Sequence, residues 1–493
     1  MPFHKELLEK RENLIKSGIN PYPYSFEQSC PIKKIRAEEA GFLDKQVSIP
    51  GRIVAQRIQG KASFVDIEDF DDHIQVYFKK DHVGEAGWNI VMQLDLGDII
   101  GVRGKVFRTR TNELTISAEE IQILAKTTVQ VPISKKTEDK VFYQLADPEI
   151  KYRERYIHWI TEPQARQKLV TRARIISETR KFMESNGFLE VTTPTLEMIY
   201  GGAEATPFET NVKALSNQKV FLRISPELSL KRFIVGGFPK VFTICQNFRN
   251  EGIDRSHNPE FTMMEWYEAY TDYEFQMKRF EELVFTVSVN TTGSGKITYQ
   301  GREIDLTPPW RRLTMVDAIK EFNGIEVESM PEEEIKDFAR KREIDIQEPF
   351  NLGLAIDEIF KATCEDKLIQ PTFIMDHPME TSPLTKAKRG KPGFIERFEP
   401  FIVGMEMGNA YSELTDPVEQ HERLCRQRQA GQSQKGESGH PVNPMDMDFV
   451  KAIGCGMPPT GGVGLGIDRL VMLLTDSHSI REIIAFPLMK PKQ

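Results

Sequence analysis

At 493 residues the chain is too long for one compact core, so two or three domains are expected. Hydrophobic residues make up 39% and charged residues 28%, the balance of a soluble globular protein, and the net charge of -8 argues against broad non-specific nucleic-acid binding while allowing a local basic face. The five cysteines (Cys30, Cys245, Cys364, Cys425, Cys455) form no C-x-x-C pair, which argues against a Cys-rich zinc site or a disulfide framework and makes the reducing cytoplasm the expected compartment.

Met1 to Lys16 alternates charges with single apolar residues, so it reads as neither a signal peptide nor a transit peptide. No run approaches the ~18 apolar residues that span a bilayer, so no membrane association is expected. Residues 4–17 predict a short amphipathic helix, closed by Gly18 and the Pro21/Pro23 turn. From Val47 to Leu124 the pattern changes to strands. Val47–Ile49, Arg52–Ala55, Ser63–Ile67, His73–Phe78, Ile99–Val106 and Glu113–Ser117 alternate or are β-branched, and Gly or Asp clusters separate them. Five or six short strands in about 80 residues predict a small closed barrel. Such barrels commonly read single-stranded nucleic acid, and a purely structural β-domain fits the same pattern equally well.

A linker follows over 126–150. Helical spacing of Ile175, Ile176, Thr179, Phe182 and Met183 predicts a helix from about Glu162 to Asn186. Beyond it, strands alternate with long helical stretches. This gives two domains, 1–140 and 141–493, with an α+β fold for the second. Residues 326–350 read as a charged, weakly constrained surface insertion, and 386–393 and 431–439 as mobile loops.

Three segments carry chemistry. In the first, Asn247-Phe248-Arg249-Asn250-Glu251-Gly252 and His257-Asn258-Pro259-Glu260-Phe261-Thr262 form a polar loop between two predicted strands. A guanidinium offers a planar fork to phosphate or carboxylate, and a ring such as Phe261 can stack on a base. No Gly-x-x-x-x-Gly-Lys-Ser/Thr loop exists, so nucleotide binding has to use side chains on a sheet. In the second, Gly461-Gly462-Val463-Gly464-Leu465-Gly466 leads into Ile467-Asp468-Arg469 and an apolar helix. Alternating glycines leave one strand face bare, so a ligand or a backbone can approach, and Arg469 opens the helix where an anion is favoured. In the third, Glu399 and Glu406 stand in an apolar strand, where carboxylates are costly unless paired with arginine or metal-bound. Their spacing of seven puts them on opposite faces of an ideal strand, so a bulge near Gly404 is expected. Gly408 to Glu413, Glu227, Glu265 and Tyr267 add acidic character suited to a cationic substrate.

These segments, with Asn186 to Pro194, Ser225-Pro226-Glu227-Leu228 and Gly456 to Gly462, resemble the three signature motifs of class II aminoacyl-tRNA synthetases, and most of all those of the lysine–tRNA ligases. The resemblance spans nearly the whole chain. It implies an antiparallel catalytic sheet flanked by helices, behind an OB-fold barrel that binds the tRNA anticodon. It also implies ATP as co-substrate, Mg²⁺, L-lysine and tRNA(Lys) as ligands, no DNA, and a homodimer with the segment ending at Pro194 in its interface.

Carried over residue by residue, Arg249 and Arg469 are the catalytic arginines. Arg249, Asn250, Glu251, His257, Asn258, Phe261, Glu406, Met407, Gly466 and Arg469 bind ATP, with adenine between Phe261 and Arg469. Gly202, Glu227, Arg249, Glu265, Tyr267, Asn409 and Glu413 bind lysine. Glu399 and Glu406 hold the metal. Arg57, Phe64, Gln75 and Glu120 read the anticodon. The chain departs from many relatives in carrying Gln246 and Ser256 where they have arginine, which makes Arg255 the candidate for the outer phosphate. An aspartate or asparagine ligase shares this plan but not the acidic set Glu265 and Glu413. A non-catalytic tRNA-binding paralogue would be expected to lose Arg249, Glu399, Glu406 and Arg469, and all four are present.

Overall fold

The alternation between Val47 and Leu124 becomes a closed five-stranded barrel in the computed structural model, which describes residues 3–133, 136–137, 140–141, 148–433 and 444–491. The chain divides into two units, 1–165 and 166–493. In the first, helix α1 (Lys5–Lys16) is followed by strands β1 (Gln46–Gln59), β2 (Ala62–Glu68) and β3 (His73–Lys79), helix α2 (Lys80–Met92), and strands β4 (Ile99–Arg108) and β5 (Leu114–Ala125). The barrel order is β1-β2-β3-β5-β4. Every second residue points inward, and Ile49, Ile53, Val65, Ile67, Ile74, Val76, Ile100 and Val102 fill the core. The two segments 47–49 and 52–55 are one continuous strand, because Pro50 and Gly51 stay in register with Gly101 and Ile100 of β4. Helix α2 was not foreseen. It buries Trp88, Ile90 and Val91.

The second unit opens with helix α3 (Gln164–Ser185) and short strand β6 (Leu189–Glu190). Helix α4 (Glu227–Val235) precedes the hairpin β7 (Lys240–Phe248) and β8 (Glu260–Ala269), which is followed by helix α5 (Tyr273–Thr292). Next come β9 (Arg311–Thr314), helices α6 (Met315–Asn323), α7 (Glu332–Arg340) and α8 (Leu352–Thr363), and β10 (Thr372–Pro378). The last strands are β11 (Phe394–Ile402), β12 (Met405–Glu406), β13 (Gly408–Ser412) and β14 (Thr460–Gly466), leading into helix α9 (Ile467–Leu474). The sheet runs β9-β10-β11-β13-β14-β8-β7-β6, with β12 paired to β11. It is antiparallel through its centre and parallel only at its edges, β9–β10 and β7–β6. Ile175, Met183, Phe280, Leu283 and Leu470 of α3, α5 and α9 pack with Met264, Trp266, Phe398, Val463 and Leu465 of the sheet.

The segment 326–350 is more than a surface insertion. Its helix α7 buries Ile335 and Ala339 in a core shared with α6, α8, Ile374 and Phe401, because its apolar residues recur at helical spacing among the charges. Residues 386–393 are also held rather than free. Ala387 bridges Ile395, Lys388 approaches Asp376 at 3.3 Å, and Arg389 pairs with Asp272 at 2.8 Å. Most of the expected loop 431–439, and most of the linker segment 134–147, lies outside the described residues.

Candidate active site

Strand periodicity builds one face of the central sheet. Along β8 the even positions Met264 and Trp266 enter the core, while the odd positions Phe261, Met263, Glu265 and Tyr267 line a cavity of about 660 Å³. On β11, Phe398 goes inward and Arg397 and Glu399 face the cavity. On β13, Ala410 goes inward and Asn409 and Tyr411 face out. Between these walls runs β14, whose bare positions are Gly462, Gly464 and Gly466. Gly464 lies between Asn409 and Glu265, and Gly462 between Tyr411 and Tyr267. The glycine row is thus the floor of the cavity. A Cβ at Gly462 would collide with Glu413 Oε1 and the Tyr267 ring.

One end of this floor is acidic and dry. Glu227, Glu265 and Glu413 are all buried, and so are Ser225 and Tyr267. Ser225 Oγ donates to Glu265 Oε1 at 2.8 Å, and the Tyr267 hydroxyl donates to Glu265 Oε2 at 3.4 Å. Burial, reinforced by Glu227, pushes Glu265 up to about 8. Burial and the surrounding carboxylates push the Tyr267 phenol well up, so it remains a neutral donor. The fully buried Lys231 ammonium lies 2.6 Å from Glu227 Oε1 and 2.5 Å from Glu413 Oε2. Burial alone would discharge this lysine, but the two carboxylates raise it above the ordinary lysine range. Burial pushes Glu413 up to about 8, with Lys231 pulling it down and Glu227 adding to the rise. Glu413 Oε1 lies on the cavity side of Gly462, in the space a Cβ there would take, although Glu413 is too deeply buried to line the open cavity. Gly202, at φ +82, comes over Glu227 and Ser225, whose atoms a Cβ would meet at 3.0 Å.

The other end is rich in arginine. Arg249 follows β7, and its backbone N–H donates to Pro259 O at 2.9 Å, which closes the loop of the hairpin. Its guanidinium lies 5.1 Å from the centre of the Phe261 ring, and its Nε is shielded from solvent without a hydrogen-bond partner. Burial lowers its pKa. The Asn250 N–H donates to Thr206 O at 2.8 Å, so Asn250 is tied to the neighbouring loop and does not line the cavity, whereas Glu251 does. Asp254 orders the loop by accepting from the N–H groups of Ser256 and His257, both at 2.7 Å, and by meeting His257 Nδ1 at 2.8 Å. Partial burial opposes its charge, yet the His257 ring and these N–H groups hold Asp254 at about 2. Asn258 Oδ1 is shielded and unpaired. Arg469, at the start of α9, donates to Glu406 O and lies 3.5 Å from Glu406 Oε2. Gly466 N–H donates to Met407 O at 2.9 Å, joining β14 to the residue after β12. Ser256 and Ile480 line this end and Arg255 does not; its carbonyl instead accepts from Ile480 N at 2.8 Å. The expected arginine contact to an outer phosphate is therefore absent from the lining of the cavity.

No bulge relates Glu399 to Glu406. A two-residue hairpin turn at Val403 (φ +54) and Gly404 (φ +70) folds β12 back onto β11, pairing Phe401 with Glu406. The turn is pinned from outside, by Val403 N–H to Ile369 O at 3.0 Å and Gly404 N–H to Leu368 O at 2.9 Å. Glu399 is ion-paired with Arg397, which also donates to Asn409 Oδ1 at 3.0 Å. Burial and repulsion from Glu399 raise Glu406, and burial with both neighbours pushes Glu365 up to about 7. Among the described residues no group of three or more His, Cys, Asp or Glu forms a ready metal cage.

In the barrel, Arg57 and Phe64 are cross-strand partners, and Phe64 is paired with Tyr77. Arg57 lies 3.7 Å from Asp66, and Gln75 donates to Asp66 at 3.5 Å and accepts from Thr115 Oγ1 at 3.1 Å. Glu120 engages Arg103 at 3.8 Å instead. The Phe64, Tyr77 and Phe107 rings form a row, with centroids 4.9 and 6.4 Å apart.

Sequence reasoning missed Tyr77 and Phe107 of this row, Glu365 and Arg397 of the cavity lining and Lys231 behind it, and it gave no individual role to Ser225 or Tyr411 within the segments it singled out. Period-two reading of β11 and β13 would have found Arg397 and Tyr411, and the i,i+4 spacing from Glu227 pointed to Lys231.

Residues 147–490 match the family described as tRNA synthetases class II (D, K and N), and residues 47–124 match the OB-fold nucleic acid binding domain. The lysine–tRNA ligase of Thermoanaerobacter pseudethanolicus is 46% identical over 99% of this chain and 96% of its own length. Those of Moorella thermoacetica and Carboxydothermus hydrogenoformans are each 44% identical over 99% of this chain, covering 97% and 98% of their own lengths.

Proposed function

This chain belongs to the class II tRNA synthetases and, among them, to the lysine–tRNA ligases, and from that membership we propose how its cavity carries out the reaction. The enzyme activates L-lysine with ATP to lysyl-adenylate and transfers the lysyl group to the 3′ end of tRNA(Lys). In the first step a lysine carboxylate oxygen attacks the α-phosphorus. The bond to the β-phosphate breaks and pyrophosphate leaves. In the second step a terminal hydroxyl of the tRNA attacks the carbonyl carbon and AMP leaves. The substrate carboxylate is the nucleophile, so no side chain has to form a covalent bond.

Charge balance carries the choice of substrate. The acidic end holds three carboxylates, Glu227, Glu265 and Glu413, against one internal ammonium, Lys231. Lysine brings two ammonium groups, which complete the balance, and its carboxylate is left to meet Arg249. An acidic substrate side chain would need a free cation at this end, but Lys231 is already engaged by two glutamates. Under this reading Gly202 and Glu227 take the α-ammonium, and Glu265, Tyr267 and Glu413 take the ε-ammonium with Asn409 in support.

Arg249, whose buried guanidinium Nε lacks a partner, bridges the substrate carboxylate and the α-phosphate. It orients both and answers the charge that builds between them. Adenine stacks between Phe261 and Arg469, with backbone contacts at Met407 and Gly466. Glu251 serves the adenosine side, with Asn250 fixing the loop that carries it, and His257 and Asn258 the outer phosphates.

The donor set of Glu399 and Glu406 fits Mg²⁺. Both are hard oxygen donors that repel one another, and although Arg397 and Arg469 already offset part of their charge, the two carboxylates would hold such an ion beside the phosphates. Such an ion supplies countercharge to the phosphates and to the departing pyrophosphate.

The barrel binds the anticodon, with Phe64 stacking on an unpaired base and Arg57, Gln75 and Glu120 reading base edges. A homodimer is supported by the exposed apolar side chains around Pro194, namely Leu189 (50% exposed), Leu196 (49%) and Met198 (55%). No helix among the described residues is long and apolar enough to cross a membrane, and the free cysteines agree with a cytoplasmic setting. The test of the assignment is ATP–pyrophosphate exchange across the twenty amino acids. Exchange with lysine alone is expected, and exchange with aspartate or asparagine instead would overturn it.

A further inference from the structure

Lys231 belongs to no signature motif discussed above, yet it is a fully buried charge held between two glutamates at the acidic end. It sits one helical turn after Glu227 on α4, with no solvent exposure. Its Nζ is 2.6 Å from Glu227 Oε1 and 2.5 Å from Glu413 Oε2, and 5.9 Å from the centre of the Phe449 ring. It therefore engages one oxygen of each glutamate and leaves the other. On Glu413 neither oxygen has a hydrogen-bond partner: Oε2 meets Lys231 as an ion pair only, and Oε1 is shielded from water and occupies the space that a Cβ on Gly462 would need. A buried carboxylate oxygen without a donor is costly, so the geometry calls for a donor arriving over Gly462. A second carboxylate, Glu227, is held in the same way and lines the cavity.

We propose that Lys231 is a specificity-setting positioning residue: a fixed internal ammonium that orients Glu227 and Glu413 so that each presents one oxygen to one of the two ammonium groups of lysine. The proposal rests on the lysine–tRNA ligase reading and extends it. Lys231 touches no substrate in this arrangement. It holds two acids at the two ends of a diamine, and it brings the net charge of the three-glutamate pocket to the value that two substrate ammonium groups neutralise. A salt-bridged lysine serving only the packing of α4 would have no such consequence, because its loss would lower the amount of folded enzyme without changing the affinity of the molecules that remain.

The experiment is pyrophosphate exchange with Lys231→Met, which keeps the length and removes the charge, and with Lys231→Gln, which keeps a donor and is the milder change for folding. Each is measured for lysine KM, ATP KM and kcat. The lysine KM is expected to rise ~10- to 100-fold in Lys231→Met, the loss that follows when a charged hydrogen bond in a buried site is removed. A smaller rise is expected in Lys231→Gln. The ATP KM is expected to stay within about twofold, since the arginine end shares no partner with Lys231. Partial unfolding lowers the apparent kcat and leaves KM alone, so the split separates the two roles. A lysine KM that does not move in either folded variant overturns the proposal, and so does a parallel rise of the lysine and ATP KM values. If the unmodified chain fails to exchange with lysine, the underlying assignment has failed instead.

Discussion

The two ends of the cavity are built on opposite electrostatic terms. At the acidic end each carboxylate leans on a group inside the protein, Glu265 on Ser225 and Tyr267, Glu227 and Glu413 on Lys231, and what stays unmet is the negative charge left over by one ammonium among three glutamates. At the arginine end the principal charge is left open, with Arg249 shielded at Nε and lying on Phe261. A buried charge without a partner is costly and is tolerated where a ligand supplies the partner. The acidic end thus sets which amino acid enters, through a prearranged count of charges. The arginine end stores unmet positive charge for the anion that every substrate of this class brings. Selectivity and catalytic power are consequently separable by mutation.

The largest expected effect tests the arginine end. Arg249→Ala removes the group proposed to meet both carboxylate and α-phosphate, and exchange should fall by about 3–4 kcal/mol, as when a preorganised donor to a developing charge is lost. The fall should appear in kcat as well as in both KM values. Near-normal exchange would mean that the unpaired guanidinium is not the reacting charge. Gly462→Ala tests the acidic end. The new methyl group runs into Glu413 Oε1 and the Tyr267 ring, and Glu413 has no room to retreat from Lys231. Lysine binding should weaken by about 2 kcal/mol, the cost of overpacking a tight site, with ATP KM nearly unchanged. If ATP binding suffers equally, the two ends are not independent.

The fold was readable where its signal is local. Period-two alternation marked the barrel strands and the 238–267 hairpin, and the glycine row 462–466 announced a bare face that became the cavity floor. What escaped depends on distant backbone. The hairpin that returns Glu406 to β11 needs positive φ at Val403, a β-branched residue that disfavours it, and the carbonyls of Leu368 and Ile369 help to hold it there. No window around 399–406 contains that information, which is why a bulge was expected. Lys231 escaped for a related reason. Its spacing from Glu227 is visible in the sequence, but its second partner, Glu413, comes from a strand 182 residues away. Charges in 326–350 masked a short apolar stripe whose value is set by the core it joins.

A change in the barrel serves as the control for both ends. Phe64 stands in a row with Tyr77 and Phe107 on strands β2, β3 and β4. Phe64→Ala should weaken tRNA charging by about 1–3 kcal/mol, the range for one lost base stack, and should leave lysine-dependent exchange intact. Equal loss in both assays would tie the barrel to the chemistry of amino-acid activation and undo the division between recognising tRNA and recognising lysine.

The finest distinction between the two ends is their response to pH. Glu265 and Glu413 are pushed up to about 8 by burial, so in the empty enzyme each tends to hold a proton below that pH. Only the ionised carboxylates attract the ammonium groups of lysine. Protons must therefore leave when lysine binds, and affinity for lysine must increase as pH rises towards 8. Each glutamate that has to ionise contributes up to about tenfold, or 1.4 kcal/mol, per pH unit below its pKa, and nothing above it. The lysine KM should accordingly fall between about pH 6.5 and 8, before loss of the substrate's own α-ammonium proton works against binding at higher pH. The guanidinium groups of the arginine end keep their charge throughout, so any slope in the ATP KM should come from Glu365, pushed up to about 7, and from Glu406, and should be complete at a lower pH than the lysine slope. Exchange kinetics at half-unit intervals of pH, with lysine and ATP varied in turn, separate the two. A lysine KM that is flat across the range would mean that lysine meets carboxylates already ionised, with Lys231 holding Glu413 charged and Ser225 and Tyr267 holding Glu265 charged in the empty pocket.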